Sequence, residues 1–497
     1  MKRFHLLLPF AILPIIPCLH ADEDLGAMWG TAAEEEKYYP IVNIPITAGV
    51  PMRPGSFEVL PDGRLAVGTR RGDIYFIQGA FDTPPRPEYQ LFASGQDEIF
   101  GLSWRDGALT ATTWGEVTRI SDSDGDGFAD RYDTLTSNWG YGEYHEFAFG
   151  SKHDPEGNIW VALGLSSSYE SHNLFRGWAV KVTPQGRMIP VCSGLRSPGG
   201  VAANAEGAMF VIESQGPWNG CCSLKHLKPG GFLGHPASYN WYPYVPDMKA
   251  PALEPNRDSR MGVEKKRIKE LVPPAVKFPY IKMGRSISGF RLNQTGGRFG
   301  PFEDQLFLGD YSLSLILRAT TEQINGVWQG ACYPFREGLA TGIMNVEFTP
   351  RGQLIAGGFT TSSQWPVRGS EPFALQRIDW TGLVPFEIRE INIRKDGFLI
   401  TFTKPVNPQV AVNPDAYKVI TYTHIYDGGY GSPEVDHATP RVTRAVPSAD
   451  GLSVRIHLDR ITEDHIHDFD LTQVIAQDGQ RLLHTKAYYT VNEIPKD

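Results

Sequence analysis

The stretch LRSPGGVAANAEGAMFVIESQGPWNG, residues 195–220, decides the fold. An Arg-Ser-Pro-Gly turn opens a short apolar run, Asn204-Ala205-Glu206-Gly207 reverses the chain, and MFVIES returns into a Gly-Pro loop from Gln215 to Gly220. Glycine closes such a turn because it adopts positive φ at little steric cost. The strand pair delivers an arginine and a Gly-Pro loop to one end of a sheet, a way to build a polar pocket floor. The unit recurs as PDGRLAVGT from Pro61, RDGALTATT from Arg105, DPEGNIWVALG from Asp154, PFEDQLFLGD from Pro301 and PRGQLIAGG from Pro350. Gly63, Gly107, Gly157 and Gly207 follow one another at 44, 50 and 50 residues. Repeats of that length made of short strands suit propeller blades, so six copies predict an all-β, six-bladed β-propeller over 49–382.

Outward from the repeats the pattern changes twice. Between about 218 and 285 the rhythm breaks, which predicts an insertion with aromatic, proline-rich loops and a helix over about 259–271, ended by Pro273-Pro274. After Gly382, FEIREINIRKDGFLITFTKPV alternates apolar and polar residues about a Lys-Asp-Gly turn. Residues 383–497 therefore read as a small immunoglobulin-like β-sandwich, packed on or tethered to the propeller. Residues 22–48 read as an N-terminal extension.

The chain has 497 residues and a formal net charge of −9. With Lys and Arg nowhere concentrated, that balance argues against a nucleic-acid partner. Lys265-Lys266-Arg267 with Lys269 reads as the solvated face of a helix. Lys2 and Arg3, the apolar run Leu6 to Ile16 and Leu19-His20-Ala21 predict a secretory leader over 1–21, hence a periplasmic or secreted chain. That run is too short to span a bilayer. Export permits disulfides. The spacing of Cys192, Cys221, Cys222 and Cys332 assigns none: the adjacent pair fits a vicinal bridge, a metal, separate partners or two small loop residues.

Asp122-Ser123-Asp124-Gly125-Asp126-Gly127-Phe128-Ala129-Asp130 is the most specific short motif. Carboxylates at positions one, three and five and Gly127 at six follow the order of an EF-hand-type calcium loop. The Phe128 carbonyl, Asp130 at nine and Asp133 at twelve complete the predicted oxygen shell. The flanking residues read as strand rather than helix, so such a calcium would brace a blade.

Two passages resemble the soluble quinoprotein glucose/sorbosone dehydrogenase family of six-bladed propellers. One is Leu195-Arg196-Ser197-Pro198-Gly199-Gly200 with Glu213-Ser214-Gln215-Gly216-Pro217; the other is HEFAFGSKHDPEGNIWVALG from His145. The resemblance implies a sugar or polyol dehydrogenase with His145 as general base. It also implies Arg196 in contact with pyrroloquinoline quinone and the Gly216 and Pro217 carbonyls on a calcium ion. The chain departs from that family where cofactor-holding arginines are expected: Tyr311, Ser312, Leu313 and Ser314 stand there, leaving Arg285, Arg318 and Arg336 as candidate cations. The whole chain is also similar to a group of exported planctomycete-type proteins called membrane-bound dehydrogenases, through the Asp-Gly-Asp-Gly loop, Pro372 to Arg377 and Tyr430 to Asp436.

Other readings use the same residues. His145, among aromatics, also fits a hydrogen-bonded strand crossover. His153 reads as a solvated turn residue and His172 as a residue of the pocket rim. Trp139, Tyr141, Tyr144, Trp218, Tyr239, Trp241 and Tyr242 suit a non-catalytic glycan- or protein-binding propeller, with the sandwich as a second protein contact, and also suit plain blade packing. A carbohydrate hydrolase or lyase would pair His145 with Glu143, Glu146 or Tyr144.

Overall fold

Every one of the six turns joins the first strand of a four-stranded antiparallel sheet to its second. The glycines at 63, 107, 157, 207 and 352 take φ between +78° and +88°. In the fifth copy, which lacks the glycine, Asp304 takes φ +61° instead. This computed structural model describes residues 25–361 and 365–496; the expected leader, 1–21, lies outside them.

The six sheets span 54–93, 101–136, 148–193, 198–278, 287–336 and 343–379. Their first strands neighbour one another in sequence order, and Pro54–Val59 also lies beside Ile343–Phe348, so the ring closes as a six-bladed propeller. First strands crowd at the axis. A Cβ added to Gly101 would stand 2.7 Å from Gly150 Cα, so only hydrogen fits there. The sixth blade takes its outermost strand, Ile41–Asn43, from the N-terminal side, paired antiparallel to Phe373–Asp379. The segment expected as an extension thus fastens the ring; three residues without a turn glycine gave the alternation no length in which to show. The insertion is narrower than 218–285, because Cys222–His226 and Val276–Phe278 are the third and fourth strands of blade four. Its helix is Met261–Arg267.

The terminal sandwich is joined to the ring by a continuous ladder. Lys486–Val491 pairs with the outer strand of blade five, Val327–Arg336, extending that blade into an eight-stranded sheet. The second sheet comprises Ile388–Arg394, Gly397–Phe402, Ser453–Leu458 and Val442–Pro447. Ala331 and Tyr333 of blade five belong to the same buried cluster as Phe398, Ile456 and Tyr489 of the sandwich.

A buried charged network ties ring, N-terminal segment and sandwich together. His484 Nδ1 lies 2.5 Å from Glu387 and Nε2 2.8 Å from Glu35, whose other oxygen receives Arg336 at 3.1 Å. Burial alone would lower the His484 pKa, but Glu387 and Glu35 outweigh it and hold it at about 9. A raised histidine pKa stabilises the fold fully below about 6.5 and progressively less as pH rises through 9. Thermal melts between pH 6.5 and 10 should show a loss on the order of 3 kcal/mol from this group. His484→Gln should flatten that slope while lowering stability at pH 7 by about 3 kcal/mol or more.

Cys192, Cys221, Cys222 and Cys332 are all free and buried. Among the described residues, no helix is long and apolar enough to cross a membrane.

Candidate functional site

First strands begin, and second strands end, at the same rim of the ring, so the residues at those junctions meet around one mouth. Arg70, Ser214 and Tyr311 directly follow second strands; Phe100 and Phe147 directly precede first strands. These junctions line a largely apolar cavity of about 290 Å³. Toward the other end of the first strands lies a group of ion pairs: Lys152 meets Glu58 and lies 2.7 Å from Glu347, which Arg291 approaches at 3.1 Å.

His145 and Arg196 both line this cavity. His145 has φ +74°, a conformation costing on the order of 1–2 kcal/mol for a residue with a Cβ. Buried Glu146 anchors its loop by accepting from Ser166 Oγ at 2.5 Å, Asn173 Nδ2 at 2.8 Å and Glu143 N at 3.0 Å. Edge contacts to Tyr144, Trp365 and Phe147 at 4.6, 5.6 and 5.9 Å fix the imidazole. Its Nδ1 is buried without a partner. Burial, and then the Arg196 charge, push its pKa down to about 4, so the ring is neutral at pH 7.

Arg196 is held by blade four. Its backbone N–H donates to Glu213 at 2.5 Å, and Glu213 is paired with buried Lys225 at 2.6 Å. Nη1 donates to the Gln215 carbonyl at 2.5 Å. Gly216 lies against the guanidinium: a Cβ there would be 2.1 Å from Cζ. Gly216 and Pro217 therefore stand behind Arg196, off the cavity wall. The Gly216 carbonyl accepts from Asn219 N at 3.0 Å and Gly431 N at 3.3 Å.

The sandwich supplies a wall residue that sequence reasoning did not assign to the site. Its loop 425–432 reaches over blade four, with Tyr426 Oη donating to Gly234 O at 2.5 Å and Trp218 N donating to Asp427 O at 2.7 Å. The loop carries Tyr430 into the mouth, its ring centroid 5.1 Å from Arg196 Cζ. The Gly-Gly-Tyr-Gly run marked a turn there, but nothing local says which surface a turn reaches.

The other expected residues divide. Glu143 pairs with exposed His172 at 3.0 Å and Glu146 is engaged in its loop, so neither carboxylate is left to work with His145. His153 is not solvated: its Nδ1 lies 2.7 Å from Ser103 Oγ and burial pushes its pKa to about 4. Tyr144 stands at the mouth, whereas Trp139, Trp218 and Tyr242 are buried in blade and insertion cores. Arg318 is buried between Phe302 and Tyr333 and donates to the Ile388 carbonyl; Arg336 turns to Tyr39 O and Glu35.

That distribution does not fit pyrroloquinoline quinone. A buried tricarboxylate needs several cations. Here Arg318 and Arg336 point elsewhere, Arg285 is buried beside Asp310 and does not line the cavity, Arg70 is paired with Glu98 at 2.5 Å, and the Gly216 carbonyl already accepts two N–H groups.

The acidic loop joins the third and fourth strands of blade two, at the end of the ring opposite the mouth. Asp122, Asp124 and Asp126 bring one oxygen each within 4.8 Å of one another. Asp130 instead receives Ser123 N and Oγ at 2.8 and 2.6 Å, and Asp133 pairs with Arg131 at 2.8 Å. Asp130 and Asp133, expected to complete the shell, are thus engaged elsewhere, leaving Asp122, Asp124 and Asp126 as its carboxylates.

Fold and mouth define the class: a six-bladed propeller whose terminal sandwich is part of its cavity wall. No family model matches the chain, and no curated protein matches it. It is similar in shape to a glucose dehydrogenase structure (18% identity, covering 68% of this chain and 98% of that one, TM-score 0.47). The quinone-bound aldose sugar dehydrogenase of Streptomyces coelicolor gives 14% identity, the same coverages and TM-score 0.47. The calcium structure of a Trichoderma reesei carbohydrate-active enzyme of family AA12 gives 13%, 69% and 96%, with TM-score 0.48.

Proposed function

We propose that the mouth receives a carbohydrate or other small polyol, and that His145 accepts the proton of one of its hydroxyls in an oxidoreductase-like reaction. The observation that carries this reading is the neutral imidazole with a buried, unpartnered Nδ1 beside a fixed guanidinium. A hydroxyl proton passes to the imidazole, which burial and the Arg196 charge keep neutral and ready to accept it. The hydride on the carbon bearing that hydroxyl passes to a separate two-electron acceptor of quinone or dye type, which the chain itself does not supply. The cavity is near the lower end of small-molecule sites, roughly 300–1,000 Å³, a size for one sugar unit. Phe100, Phe149 and Tyr311 offer surfaces for its C–H faces, and Ser197 and Ser214 offer hydroxyls.

The test is dye-coupled oxidation over a panel of sugars and polyols, with and without added quinone and calcium. Turnover lost in His145→Gln supports the reading. Binding of a glycan with no turnover under any condition favours the second reading, a non-catalytic lectin-like propeller, which the aromatic walls also suit.

The acidic loop is proposed to take calcium as a brace in a periplasmic or secreted setting. Calcium at ten times its Kd would add about 1.4 kcal/mol. Adding it to metal-free protein should raise the melting temperature by a few degrees, and Asp122→Asn with Asp124→Asn should remove the increment.

A further inference from the structure

One charge at the mouth has no counterpart. Arg196 is 2% exposed, and no carboxylate among the described residues forms an ion pair with it. Its nearest acid, Glu213, is engaged by Lys225 and by the Arg196 backbone N–H. Buried charges are costly unless paired. Nη1 serves the Gln215 carbonyl and Gly216 lies against the group, but Nε and Nη2 are buried with no hydrogen-bond acceptor of good geometry. Those two nitrogens form one edge of the guanidinium, and their parallel N–H vectors match the two oxygens of a carboxylate.

Building on the reading of the mouth as a substrate site, we infer that the substrate carries a carboxylate, which docks on the Nε/Nη2 edge of Arg196; the substrate class is a sugar acid rather than a neutral sugar. A monoanion fits better than a phosphate dianion, because Arg70, the other cation of the wall, is already paired with Glu98. His145, neutral and unpaired, then stands where the hydroxyl-bearing part of the same molecule lies. Nε and Nη2 are closed to solvent, so the carboxylate must displace part of their cover. Tyr430 is the part of that cover nearest solvent: it is 51% exposed and sits on a loop of the sandwich, its ring centroid 5.1 Å from Arg196 Cζ. It is the gate of the subsite.

The test is calorimetric titration of the full-length protein with D-glucuronate, D-gluconate, D-glucose, D-glucitol and glucose 6-phosphate. The acids should bind about 10- to 100-fold more tightly than their neutral counterparts, the range of a charge-assisted bidentate contact. Arg196→Lys, which keeps the charge and loses the edge, should forfeit most of that preference, and Arg196→Met all of it. Arg196→Met should melt no lower than wild type, since it removes a charge that no carboxylate balances; if it does not fold, the wild-type panel still decides. Tyr430→Ala should bind the acids as tightly as wild type or more tightly.

Neutral sugars binding as well as the acids would overturn the carboxylate subsite and leave the polyol reading standing. Tighter binding of glucose 6-phosphate, or acid binding untouched by Arg196→Met, would also overturn it. Weakening by Tyr430→Ala as severe as by Arg196→Met would overturn the gate. No binding of any compound by folded protein would remove the substrate-site reading, and this inference with it.

Discussion

His145→Gln is expected to lower turnover of any substrate the mouth accepts by about 10²- to 10⁴-fold, while changing its affinity only a few-fold. Glutamine keeps much of the volume and a hydrogen-bonding end, so the aromatic contacts at 144, 147 and 365 survive, but it cannot take a proton. The pH profile separates this role from a structural one. An ordinary histidine base loses activity below about 6.5. His145, with its pKa pushed to about 4 by burial and the Arg196 charge, should keep turnover level from pH 8 to about 5 and lose it only around 4. Arg196→Met should move that acid limb upward. An acid limb near 6.5 in the wild type, or full turnover in His145→Gln, would remove His145 from the chemistry.

What the sequence showed of the fold follows from which signals are local. The turn glycines give six blades because each encodes positive φ on its own, and even Asp304, without glycine, keeps its turn in register. The fastening strand Ile41–Asn43 and the ladder from Val327–Arg336 to Lys486–Val491 depend on residues hundreds of positions apart, which no periodicity reports. The site divides the same way. His145 and Arg196 sit at blade junctions, whose place at the mouth follows from the repeat. Tyr430 could be named only once its loop was seen lying across blade four. The carboxylates at 143 and 146 looked like partners of His145 from adjacency, but left-handed backbone at His145 turns the imidazole to the cavity while Glu146 stays in the loop core.

Truncation after residue 382 should yield no soluble, folded propeller, although the ring itself would be complete in sequence. The cut uncovers the outer strand of blade five, Val327–Arg336, whose N–H and C=O groups now pair with Lys486–Val491. An uncovered edge of that length invites intermolecular pairing. Tyr333 and Ala331 leave a shared core for water, and a side chain of tyrosine or leucine size loses about 1.5–3 kcal/mol on exposure. Arg318 loses its acceptor at the Ile388 carbonyl. Glu35 loses His484, and breaking such a buried pair costs about 3–5 kcal/mol. Together these match or exceed the 5–15 kcal/mol that holds a typical domain. The mouth would also lose Tyr430 and the clamp on the Gly-Pro loop. Expression of 25–382 should therefore give aggregate, or a chain without near-ultraviolet circular dichroism. A monodisperse, cooperatively melting monomer would show instead that the ring stands alone and that the sandwich is an attachment.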